Sequence, residues 1–86
     1  MPKLSEFCGI KITMYADEHG VPHFHASYQG VEIVIGVEPL TVLAGRIGAR
    51  QFGLVMEWAA LHQPELLAAW NALQSGGVPA KIEPLD

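Results

Sequence analysis

Halfway along this 86-residue chain the apolar residues change their spacing, from every second position to every third or fourth. A period of two is that of a strand with one buried face, and a period near 3.6 is that of a helix. The first half therefore reads as strands and the second as helices. From Cys8 to Tyr15, Cys8, Ile10, Ile12 and Met14 take one face and Lys11, Thr13 and Tyr15 the other. From His23 to Gln29, Phe24, Ala26 and Tyr28 point inward and His23, His25 and Ser27 outward. Val31, Ile33, Ile35 and Val37 then point inward, with Glu32 and Val34 outward. After Glu38-Pro39, Leu40 to Leu43 reads as a short fourth strand.

The connections set the register. Residues 16–22 are polar and carry Gly20 and Pro22, and Gln29-Gly30 is suited to a tight turn. A hairpin over 16–22 pairs Tyr15 with His23, Thr13 with His25 and Lys11 with Ser27. A two-residue turn at Gln29-Gly30 pairs Ser27 with Glu32, His25 with Val34 and His23 with Gly36. Both registers keep the same side wet, so they support each other. Gly36 beside His23 leaves room for a ligand or for another backbone.

Downstream, a helix is predicted from about 49 to 62, with Phe52, Val55, Met56 and Ala59 as one apolar stripe. Leu54, Trp58 and Leu61 form a second stripe almost opposite, to be covered by the next helix or by another chain. Pro64 opens a second helix to about 75, with Leu66, Ala69, Trp70 and Leu73 as its stripe. Ser75-Gly76-Gly77 stops it, and 79–86 is an extended tail suited to a further edge strand. The expected fold is α+β: an antiparallel meander of three or four strands over 8–44, covered on one face by two helices.

Half the residues are apolar and 16% are charged, enough for a core and too apolar for a disordered tail. The length allows one domain, 1–86. The lone cysteine, Cys8, points inward by the alternation and cannot form an internal disulfide, which favours a reducing cytosol. No apolar run is long enough to span a membrane, and the start lacks a signal peptide's apolar stretch. The net charge of −4 argues against a general phosphate-binding surface.

The wet sheet face carries the chemistry. His23 and His25 lie on one side of a strand, roughly 6–7 Å apart at Cα by strand rise. Such a pair can share a zinc ion, with Asp17, Glu18 or His19 of the adjoining loop completing the set; His19 is the preferred third ligand. The alternatives are acid–base work, with Lys11 nearby, or solvent-facing histidines in a binding patch. Thr13, Tyr15, Ser27 and Glu32 complete that patch. Arg46 and Arg50, at the first helix's start, either clamp a phosphate or are solvated. Trp58 is a candidate anchor for a partner surface, or else core. No obligatory cofactor is indicated beyond that zinc option.

Several residues also resemble a known family. Met1-Pro2 with Phe7-x-Gly9-Ile10, Met14-Tyr15, and His19-x-x-Pro22-His23-Phe24-His25-Ala26-x-Tyr28 are similar to the bacterial domain-of-unknown-function family 4160. So are Val55-x-Glu57-Trp58-x-x-x-His62-x-x-Glu65-Leu66-x-x-x-Trp70 and Lys81-Ile82-Glu83-Pro84-Leu85. Two departures stand out. Gly48 and Ala49 lie where the family is usually more basic and carries a proline, and Ala69 stands where an Asn commonly precedes the second Trp. The resemblance implies a small bacterial cytoplasmic protein from a toxin–antitoxin-like two-gene cassette. Its partner there is a cognate neighbour-encoded protein, commonly of domain-of-unknown-function family 2442; some members are labelled transcriptional regulators.

Three functions are thus expected. The first is a partner-binding cassette component, also able to form a homodimer, with RNA cleavage by His23, His25 and Lys11 if it is the toxin half. The second is a metal-binding module or metal-dependent enzyme on His23, His25 and a loop residue. The third is a small regulator, although the second helix has no Arg or Lys to meet phosphates.

Overall fold

The computed structural model describes residues 3–85. Five strands, β1 (Lys3–Phe7), β2 (Ile10–Thr13), β3 (His23–Tyr28), β4 (Val31–Val37) and β5 (Leu40–Gly45), form one antiparallel meander in the order β1-β2-β3-β4-β5. Two helices follow, α1 (Ala49–Leu61) and α2 (Gln63–Gln74). Both expected registers hold within the strands, but β2 ends at Thr13, so the expected Tyr15–His23 pair is not formed. Lys11 pairs with Ser27 and Thr13 with His25; Ser27 pairs with Glu32, His25 with Val34 and His23 with Gly36.

The start of the sheet differs from expectation. The segment 8–15 is not one strand, because Cys8 and Gly9 form the turn of a β1–β2 hairpin. Both have positive φ (52° and 77°), the backbone a two-residue type I′ turn requires. Cys8 is therefore exposed rather than inward-facing. The strand expected over Leu40 to Leu43 is β5, and it runs on to Gly45. Residues 79–85 form no strand, but the Ile82 N–H donates to the Leu4 carbonyl (2.8 Å), so the tail lies along β1.

One sheet face is dry. Leu4, Phe7, Ile10, Ile12, Met14, Phe24, Ala26, Ile33, Ile35 and Val37 are buried there under Val55, Trp58 and Ala59 of α1 and Leu66, Ala69, Trp70 and Leu73 of α2. Trp58 is fully buried, its ring 5.4 Å from that of Phe7 and 6.0 Å from that of Phe24. Its indole N–H donates to the Glu83 carbonyl (2.8 Å), closing the core under the tail. That corrects the reading of Trp58 as a partner anchor. The second stripe of α1 is split, since Trp58 goes into the core while Leu61 remains 65% exposed. No helix of the described residues is long and apolar enough to cross a membrane.

Candidate functional site

His23 and His25 stand on the wet face because Phe24 and Ala26 between and beyond them are drawn into the core. The loop linking β2 to β3 folds over the two rings. The Glu18 N–H is 3.5 Å from the Tyr15 carbonyl, and the Gln74 amide at the end of α2 donates to the Glu18 carbonyl (2.9 Å). This places Glu18 Oε1 3.1 Å from His23 Nε2 and 2.8 Å from His25 Nε2. The far nitrogens are also held: His23 Nδ1 by the Val21 carbonyl (2.8 Å), His25 Nδ1 by Glu32 Oε2 (2.7 Å). Trp70 packs on His23 (4.9 Å between ring centroids) and Tyr15 edge-on to His25 (4.8 Å). The Tyr15 hydroxyl is 3.4 Å from Thr13 Oγ1.

These contacts determine where the ring protons sit. A carbonyl and a carboxylate oxygen only accept hydrogen bonds, so each Nδ1 carries a hydrogen. In a neutral imidazole the Nε2 is then a bare lone pair. Two such lone pairs and a carboxylate oxygen converge, and the ligand atoms of Glu18, His23 and His25 all lie within 4.8 Å of one another. A convergence of three acceptors needs a positive charge at its centre. Two ring protons supply it, or one divalent ion. Burial pushes the Glu18 carboxyl up, but its hydrogen bonds and charge interactions with His25 and His23 outweigh this and hold it below the ordinary 4.5.

The other expected residues are placed as follows. His19 is exposed and outside the cluster; its neighbour Glu18, not His19 or Asp17, completes the set. Lys11 and Ser27 face each other across β2 and β3, but Lys11 makes no hydrogen bond or ion pair with the histidines. Arg46 and Arg50 are exposed around the start of α1 and join no ion pair among the described residues. The space beside Gly36 is filled from its other neighbour: a Cβ there would meet the Pro39 carbonyl (3.3 Å) and the side chains of Thr41 and Leu43. Glu32 has its expected place in the patch, and its grip on His25 Nδ1 is a contact that the sequence does not announce. So is the packing of Trp70 on His23. A cleft of about 270 Å³ between Lys3–Glu6 and Lys81–Pro84 shares no residue with the cluster.

A family model described as Domain of unknown function (DUF4160) matches residues 9–71. The match spans β2 to most of α2 and includes Glu18, His23, His25 and Glu32. No curated protein and no solved structure matches the chain.

Proposed function

The chain belongs to the DUF4160 family, and within that family we propose that it is a divalent-metal-binding domain whose centre is Glu18, His23 and His25. The observation that carries this is the pair of held Nδ1 atoms. Metal-binding histidines characteristically donate the other ring N–H to a carboxylate or backbone carbonyl, which fixes the tautomer and aims Nε2. Here both do so, one to each kind of acceptor. The Glu18–histidine separations of 3.1 and 2.8 Å are near the edge of about 3.3 Å that zinc–ligand distances imply for a tetrahedron. Three protein ligands leave a fourth position for water. The ligand side chains are 12%, 13% and 31% exposed, so solvent reaches it. Zinc with that donor set activates bound water for hydrolysis.

The setting we propose is a bacterial cytoplasmic protein working with a cognate protein in a toxin–antitoxin-like module. Family resemblance supports that setting. RNA cleavage and transcriptional regulation have less behind them, since Lys11 makes no hydrogen bond or ion pair with the histidines and α2 has no cation. The test is metal content of the untagged protein, with zinc titration by calorimetry. We expect about one equivalent bound, and loss of binding in Glu18→Gln and His25→Ala proteins that still fold. No bound metal and no heat on titration overturn the proposal, as does full binding by both variants.

A further inference from the structure

The wet face beside the two histidines is apolar on one flank. Val34 pairs with His25 across β3 and β4, so the two side chains share that face, roughly 5 Å apart at Cβ. Gly36, opposite His23, has no side chain of its own, and β5 supplies one. Val34 pairs with Ala44 and Ile35 with Val42, which leaves Leu43 as the extra residue of a β-bulge. Bulges re-aim side chains and are frequent next to active sites. Here the bulge turns Leu43 to the wet face, its Cδ1 3.6 Å from a Cβ built on Gly36 and so in the row next to His23. Leu43 is 45% exposed there. On the β2 side the cluster is covered by Glu18 and Tyr15, and Trp70 closes on His23.

We infer that the fourth position of the Glu18–His23–His25 centre takes a small carboxylate or acyl compound whose branched-alkyl or phenyl substituent lies on Val34 and Leu43. The inference rests on the metal reading and adds the ligand class to it. In such a ligand the metal-binding oxygen and the apolar group are close neighbours, because Val34 and Leu43 stand in the rows directly next to His25 and His23. Burial of the apolar group then adds to the bond at the metal. The charges select against phosphates. Glu18 and Glu32 both bond the histidines, and among the described residues neither is paired with a lysine or arginine. A phosphate dianion brings two negative charges to this place with no Arg or Lys to meet them. A carboxylate brings one, and an acyl carbonyl none.

The test loads the untagged protein with cobalt(II), whose visible absorption responds to the fourth ligand, and titrates it with acetohydroxamate, benzohydroxamate and inorganic phosphate. We expect benzohydroxamate to bind about tenfold more tightly than acetohydroxamate, and phosphate more weakly than benzohydroxamate. Val34→Thr with Leu43→Ser should bring the two hydroxamates to within about twofold of each other and leave acetohydroxamate as in wild type. Both positions keep some exposure to solvent, and thermal melts verify that the double variant folds. Equal affinity for the two hydroxamates in wild type overturns the inference, as does a preference that survives in the folded double variant or phosphate bound more tightly than benzohydroxamate. A chain that takes up neither cobalt nor zinc overturns the metal reading and this inference with it. Metal uptake with equal hydroxamate affinities overturns the inference alone.

Discussion

Glu32 offers the sharpest quantitative test of the metal reading because it touches no ion. It holds His25 from behind, Oε2 to Nδ1 at 2.7 Å, and its own side chain is about half exposed (48%). Removing such an outer partner typically costs 10–100-fold in metal affinity. At zinc 100-fold above the wild-type Kd, binding stabilises the folded state by about 2.7 kcal/mol. For a domain of this size 1 kcal/mol moves Tm by about 4–8 °C, so wild type should melt about 10–20 °C higher with zinc than with chelator. In Glu32→Ala the same zinc concentration is only about 1–10 times the new Kd. The stabilisation shrinks to about 0.4–1.4 kcal/mol and the rise to about 2–11 °C. Without metal the two proteins should melt within about 1 kcal/mol of each other, since a half-exposed pair contributes little. Glu32→Gln, which can still accept from Nδ1, should fall between them. Thermal melts by circular dichroism read all of this directly. An identical zinc-induced rise in wild type and Glu32→Ala would refute the idea that Glu32 orients a ligand.

Three further outcomes follow from the packing and the charges. Trp58→Phe removes the bond to the Glu83 carbonyl from a fully buried site and should cost about 1–3 kcal/mol in urea unfolding; a loss under half of that means the tail is not part of the core. Gly45→Ala puts a methyl onto the Glu32 carbonyl at a φ of 73°, whereas Gly20→Ala, at a φ of 96°, meets nothing. The first should cost more than the second, with strain alone accounting for about 1–3 kcal/mol in each, and equal losses in urea unfolding would contradict the close approach. The carboxyl of Glu18 is held below 4.5, so in chelator it stabilises the fold above that pH, and the contribution is lost as pH falls through the lower folded value. Glu18→Gln should therefore flatten the acid side of the stability–pH curve, and an unchanged curve would contradict the cluster's geometry.

Much of the sheet was legible because burial on one face imposes strict alternation, and two adjoining connections over-determined the register of β2, β3 and β4. β1 escaped for a specific reason. A two-residue turn normally announces itself with Asn or Asp before Gly; here Cys8 precedes Gly9, and an apolar Cys8 continues the parity of Ile10 and Ile12. The irregular pairing between Lys3 and Ser5 also breaks alternation within β1, leaving Leu4 and Ser5 both buried. Periodicity leaves Trp58 open between a partner surface and the core, because it sees only a helix's own faces. Its cover comes from Phe7, Phe24 and the carbonyl of Glu83, which is 25 residues away in sequence.

The candidate site divides along the same line. The two histidines were readable, since strand parity alone puts His23 and His25 on the wet face. Their third partner was not. Asp17, Glu18 and His19 are consecutive and all carry ligand chemistry, so composition cannot choose among them. The choice is made by the loop's path, and that path is pinned from 56 residues away by Gln74 on the Glu18 carbonyl. The α2 helix also supplies Trp70 to the back of His23 while its other apolar residues seal the core. The helix that completes the fold therefore also sets the geometry of the cluster. Gln74→Ala, at an exposed hydrogen bond, should accordingly leave the fold nearly as stable as before yet loosen Glu18 and weaken metal binding. A local loop motif would be indifferent to that change.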